Sequence, residues 1–98
     1  MIIRIVKLSF HAEYISDFKT IFEKNKQKII SQKGCNRLEM LQDINDANVI
    51  FTYSWWHSED DLNNYRNSEL FIDVWSKTKI LFNKKPEAWS TKKINEVL

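Results

Sequence analysis

The 98-residue chain contains a single glycine and a single proline. With so few residues able to break a helix or strand, long regular elements joined by short turns are expected. Its one cysteine, Cys35, excludes an internal disulfide, and no histidine or second cysteine stands at metal-ligand spacing from it. His11 and His57 are too far apart in sequence to suggest a ligand pair, so no metal is expected. No window approaches the ~18 consecutive apolar residues of a membrane helix, so no membrane partner is expected. Neither charge sign dominates: 15 Lys and Arg are interspersed with 13 Asp and Glu, for a net charge of +2. That balance argues against nucleic acid as a partner, because such binding rests on a concentrated basic surface. The start, Met1 to Lys7, lacks a basic segment before its apolar run and a small-residue cleavage site, so no secretion signal is read there and a cytoplasmic location is expected.

What the chain has is apolar and aromatic side chains in two different periods. Hydrophobic residues make up 43%, and the aromatics are 4 Trp, 3 Tyr and 6 Phe. Ile2 to Phe10 alternates as a strand, with Arg4, Val6, Leu8 and Phe10 on one face and Ile3, Ile5 and Lys7 on the other. From Tyr14 to Gln32 the apolar period becomes helical, through Phe18, Ile21, Phe22 and Ile29, and Gly34 is placed to cap that helix. Asn36 to Asp43 and Asn48 to Trp56 read as a hairpin joined by the polar turn Asp43 to Ala47. On its second strand Val49, Phe51, Tyr53 and Trp55 share one face and Ile50, Thr52, Ser54 and Trp56 the other. Ser58, with Asp61 three residues on, resembles a capping box opening a short helix, and Ser68 caps a second helix through Leu70, Val74, Trp75, Leu81 and Phe82. Pro86 prevents its continuation, and Glu87 to Ile94 reads as a last strand.

The order β-α-β, β-α-β over residues 1–98 predicts a single α+β domain of ferredoxin-like type, an antiparallel sheet with its helices on one face. The first and third strands are apolar on both faces, so the face without helices also needs a cover. A homodimer packed sheet against sheet is the simplest one.

The stretch Tyr53-Ser54-Trp55-Trp56-His57-Ser58-Glu59-Asp60-Asp61-Leu62-Asn63-Asn64-Tyr65-Arg66-Asn67-Ser68-Glu69-Leu70-Phe71 resembles the antibiotic biosynthesis monooxygenase family. A strand ending in Trp56, the cap Ser58, then Leu62, Tyr65, Ser68 and the pair Leu70 and Phe71 carry the likeness. Gly34-Cys35 at the start of the second strand adds to it. The resemblance implies a dimeric α/β barrel and a pocket between sheet and helices. It also implies an oxidoreductase activity without a cofactor on a quinol or other small aromatic molecule. Many relatives have His where this chain has Tyr65. The haem-degrading branch has Asn, Trp and His where this chain has Val6, Tyr65 and Trp75, so haem of that type is not expected.

Tyr65 is the candidate catalytic residue, since a phenol can donate a hydrogen bond to a substrate oxygen or relay a proton. Arg4, Tyr53, Trp55, Phe71, Trp75 and Trp89 are candidate pocket residues. The aromatics would stack a planar substrate, and Arg4 would need a partner or an anionic ligand on an otherwise apolar strand face. The leading function is a cofactor-independent monooxygenase acting on a small aromatic molecule. The alternative is a small-molecule-binding or sensing module on the same scaffold. RNA recognition uses the same element order but requires a basic-Gly-aromatic signature, and Asn48 to Trp56 contains neither glycine nor a basic residue.

Overall fold

A computed structural model describes residues 1–98. Strand β1 (Ile2–Ser9) leads through one 3-10 turn at Ala12–Tyr14 into helix α1 (Ile15–Ile30). Strands β2 (Cys35–Gln42) and β3 (Val49–Trp56) form the hairpin, followed by α2 (Glu59–Arg66), α3 (Glu69–Lys79) and β4 (Glu87–Thr91). The four strands make one antiparallel sheet in the order β2-β3-β1-β4. This is the expected ferredoxin-like α+β arrangement, with the N-terminal strand at the centre. No helix is long and apolar enough to cross a membrane.

Both predicted caps form. Ser58 Oγ accepts from Asp61 N–H at 3.1 Å, and Ser68 Oγ accepts from Phe71 N–H at 3.2 Å, so each short helix begins with one of its free N–H groups satisfied. Two expected boundaries move. Helix α1 ends at Ile30 rather than Gln32, and Gly34 closes the turn after it instead of capping it directly. Gly34 holds φ +83°, and a Cβ built there would lie 2.6 Å from Asp61 Cβ and Cγ. A left-handed backbone and close contact with α2 thus both require glycine at this position. Helix α3 ends at Lys79 because the chain then returns to β1: Phe10 and Phe82 form an antiparallel bridge, with His11 N–H donating to Leu81 C=O. Pro86 falls just before β4, beyond the end of α3, and β4 stops at Thr91 rather than Ile94.

Register decides which residues meet. In the β1–β3 pairing Ile2 faces Trp56, Arg4 faces Ser54 and Leu8 faces Ile50, so even-numbered residues of the two strands share a face. That face meets the helices. Its core is Leu8, Phe10, Phe18, Ile50 and Leu81, with Phe10 and Ile50 fully buried. The odd-numbered face, with Ile3, Ile5, Phe51, Tyr53 and Trp55, has no element packed on it. Accordingly only 11 of the 98 residues are buried, few for a chain with this apolar content.

Candidate functional site

Beyond the Phe10 core, sheet and helices separate to leave a cavity of about 300 Å³. The sheet contributes Arg4, Val6, Thr52, Ser54 and Trp56 to its wall. Helix α1 adds Phe18 and Phe22, α2 adds Tyr65 and Arg66, and α3 adds Phe71 and Trp75. An apolar enclosure with a few convergent polar groups is the usual form of a small-molecule site. A cavity of about 150 Å³ suffices for benzene, so this one has room for about two fused rings or one substituted ring.

The aromatic residues form a continuous file. Phe18 stacks on Phe10 at 4.6 Å between centroids, Phe10 meets Phe82 at 5.3 Å, and Phe82 meets Trp75 at 5.6 Å. Trp75 then stacks on Phe71 at 5.9 Å, Phe71 meets Tyr65 edge-on at 5.3 Å, and Tyr65 stacks on Trp56 at 5.0 Å. Offset-stacked and edge-to-face contacts each add about 0.5–1.5 kcal/mol beyond area burial. The file ties the rings of the cavity wall to the core.

Tyr65 has the most distinctive polar group. Its ring is held between Trp56 and Phe71, but its hydroxyl has no protein hydrogen-bond partner. No sealed side-chain polar atom in the molecule lacks a partner, so that hydroxyl opens onto accessible space. Burial, with a smaller contribution from the nearby Cys35 thiol, pushes its pKa up from 10.0 to about 12. Tyr65 is therefore a neutral phenol at any physiological pH. It can donate a hydrogen bond into the cavity and cannot serve there as a base. Around it, Trp56 Nε1–H donates to Ser54 Oγ at 2.8 Å, leaving the Ser54 hydroxyl proton free to donate. Arg4 Nη1 donates to Ser90 Oγ at 3.0 Å across the β1–β4 pairing.

The raised pKa has a stability consequence. A folded-state value above the unfolded one means that folding is undisturbed below pH 10 and weakens as pH rises from about 10 to about 12, where only the unfolded chain readily ionises this phenol. The interval between 10.0 and about 12 corresponds to about 2–3 kcal/mol. Urea unfolding at pH 8 and at pH 11.5 should show a larger loss in the native protein than in Tyr65→Phe. Equal losses would contradict the buried placement of the phenol.

Of the residues read from sequence as site candidates, Arg4, Tyr65, Phe71 and Trp75 line the cavity together. Tyr53, Trp55 and Trp89 do not. Tyr53 and Trp55 have odd-face register on β3, and Trp89 on β4 pairs with Ile5, so all three lie on the far side of the sheet. There Tyr53 contacts Trp55 at 6.1 Å, the Arg37 guanidinium lies 5.0 Å over the Trp55 ring, and Trp89 remains 46% exposed. Ser54 and Arg66 also line the wall without having been candidates, and Trp56, one of the four tryptophans able to stack a planar ring, stands there in place of Trp55. Choosing Trp56 over Trp55 requires knowing that Arg4, Val6 and Leu8 face the helices, which register then carries across to Ser54 and Trp56.

A four-stranded antiparallel sheet with helices on one face and an aromatic cavity beneath them defines a ferredoxin-like α+β protein. Residues 1–74 match the family described as antibiotic biosynthesis monooxygenase, and the chain belongs to that family. No curated protein sequence matches it. Solved structures similar to it include a conserved protein from Methanosarcina mazei Go1, at 18% identity and TM-score 0.88 over 95% of this chain and 93% of that one. Another is a candidate antibiotic biosynthesis monooxygenase from Nitrosomonas europaea, at 16% identity and TM-score 0.89 over 97% and 100% of the two chains. A third is a mutant of SnoaB, a cofactor-independent oxygenase from Streptomyces nogalater, at 14% identity and TM-score 0.87 over 98% and 95%. At these identities the likeness is one of fold.

Proposed function

We propose that the chain is a cofactor-independent monooxygenase for a small phenolic or quinol-type aromatic, bound in the cavity with its oxygen on the Tyr65 hydroxyl. The observation that carries this reading is the unpartnered phenol donor held between two aromatic rings at the wall of an apolar cavity. Family membership and the fold shared with an oxygenase called cofactor-independent support it.

The substrate supplies all the electrons. Its phenol proton passes to solvent, and the resulting phenolate transfers an electron to dioxygen. The two radicals combine at a ring C–H to form a C–O bond. Loss of that carbon's hydrogen together with O–O cleavage and one proton leaves a carbonyl and releases water. A phenol with a free para position and O₂ thus become a quinone and H₂O, with atoms and electrons balanced. The Tyr65 hydrogen bond stabilises the phenolate oxygen, and the stacked wall holds the ring in one orientation, so positioning and a preorganised donor supply the rate.

The dimer belongs to the same proposal. On the odd face Ile3, Ile5, Phe51, Tyr53, Trp55 and Trp89 form a contiguous, partly exposed apolar surface. A second copy packed sheet to sheet would cover it and complete a barrel. Light scattering should give twice the 11.8 kDa chain mass, whereas a monomer would contradict the cover.

Oxygen uptake with a panel of phenols and naphthols that keep a free para position tests the enzyme reading. The expected result is O₂-dependent quinone formation by the metal-free protein. Binding across the panel without turnover would replace the enzyme with a binding or sensing module.

A further inference from the structure

The charges around the cavity are of one sign. Arg4 and Arg66 both line it, and none of its twenty lining residues is Asp or Glu, although the chain has 13 acids. Neither arginine takes part in any of the molecule's ion pairs. Arg4 is half-buried on the central strand, flanked by Ser54 and Ser90, and its one side-chain hydrogen bond goes to the neutral Ser90 hydroxyl. Arg66 ends α2, one residue from Tyr65, and its exposure shows that the cavity meets solvent beside it. The free polar groups here can all donate: the two guanidinium groups and the hydroxyls of Tyr65, Thr52 and Ser54, the last of which already accepts from Trp56.

A half-buried, unpaired cation with a second cation nearby is costly unless something neutralises it. Burial, and then repulsion from Arg66, lower the pKa of Arg4, so the fold holds these two charges near each other against their interest. The guanidinium fork fits a carboxylate with two parallel hydrogen bonds. Resting on the reading of the cavity as an aromatic site, we propose that its ligand is an aromatic acid, with the carboxylate held by Arg4 and Arg66 at the mouth and the ring between Trp56, Tyr65, Phe71 and Trp75. The carboxylate thereby fixes which ring position faces Tyr65.

The test is a binding measurement, kept separate from turnover by working without oxygen. Calorimetric titration compares 1-hydroxy-2-naphthoate with its neutral carboxamide, which has the same rings and hydroxyl. The native protein should bind the acid at least about tenfold more tightly, in line with charge-assisted over neutral hydrogen bonds. Arg66→Gln and Arg4→Gln should each remove most of that preference, and Arg4→Lys should retain part of it. Affinity for the carboxamide should change less than about twofold. Arg37→Gln, on the other side of the sheet, should leave the preference intact. Equal affinity for acid and amide, or a preference that survives in both Gln variants, would overturn the proposal. If neutral naphthols are oxidised while the acid shows no preference, the enzyme reading stands without this inference. If the acid binds through the arginines and is never oxidised, the inference stands without the enzyme.

Discussion

Tyr65→Phe should lower oxygen-dependent turnover of a phenolic substrate by about 10²–10³, the usual cost of removing one donor aimed at a developing oxyanion. The same variant should unfold within about 0.5 kcal/mol of the native protein at pH 8, because the ring contacts with Trp56 and Phe71 survive and no protein hydrogen bond is lost. The loss should fall on kcat more than on KM, since the hydrogen bond strengthens as charge builds on the substrate oxygen. With its pKa pushed up to about 12, Tyr65 should impose no break in the pH–rate profile between pH 6 and 9. Steady-state oxygen consumption measures each of these. Undiminished turnover in Tyr65→Phe would remove the residue from the mechanism.

Phe10→Ala should have the largest effect on stability. Phe10 is fully buried, stacked on Phe18 at 4.6 Å and tilted against Phe82 at 5.3 Å, and it stands where β1, α1 and the segment after α3 meet. Truncating a buried phenylalanine costs about 3–5 kcal/mol through lost transfer energy and the space left behind. Against a typical total of 5–15 kcal/mol, that approaches unfolding, and melting should fall by more than about 10 °C. Ile72→Ala is the control, since Ile72 is 59% exposed on α3 and the higher helix propensity of Ala offsets what little contact is lost. The Phe10 loss should also loosen the aromatic file and weaken binding of any cavity ligand. A loss below about 1 kcal/mol, read from urea unfolding, would show that the core lies elsewhere.

The fold was legible because its signals are local. The caps at Ser58 and Ser68 and the two-residue period of Val49 to Trp56 each follow from a few neighbouring residues, and the structure realises them. The helix ends were less legible. Helix α3 stops where Phe82 finds Phe10, a contact between residues far apart in sequence that no local period encodes. The site was legible in part for a related reason. Tyr65, Phe71 and Trp75 lie on helices with one apolar stripe, so their direction follows from spacing. Tyr53 and Trp55 lie on a strand apolar on both faces and Trp89 on a short, weakly alternating one, where alternation separates two sets of residues without telling which set meets the helices. Arg66 was hidden for another reason: as a basic residue in the last turn of α2 it looks like an ordinary complement to the helix dipole. Its position at the cavity becomes visible only when β1 brings Arg4 there from the other end of the chain.

In the proposed complex the even-numbered face of the sheet holds the ligand and the odd-numbered face does not. The four tryptophans divide between them, with Trp56 and Trp75 at the cavity and Trp55 and Trp89 on the far face. Indole N–H resonances of ¹⁵N-labelled protein, assigned by single Trp→Phe variants, can be followed as 1-hydroxy-2-naphthoate is added under nitrogen. The Trp56 and Trp75 signals should move together with one affinity while those of Trp55 and Trp89 stay in place; movement of Trp55 and Trp89 with Trp56 and Trp75 unchanged would contradict the claim.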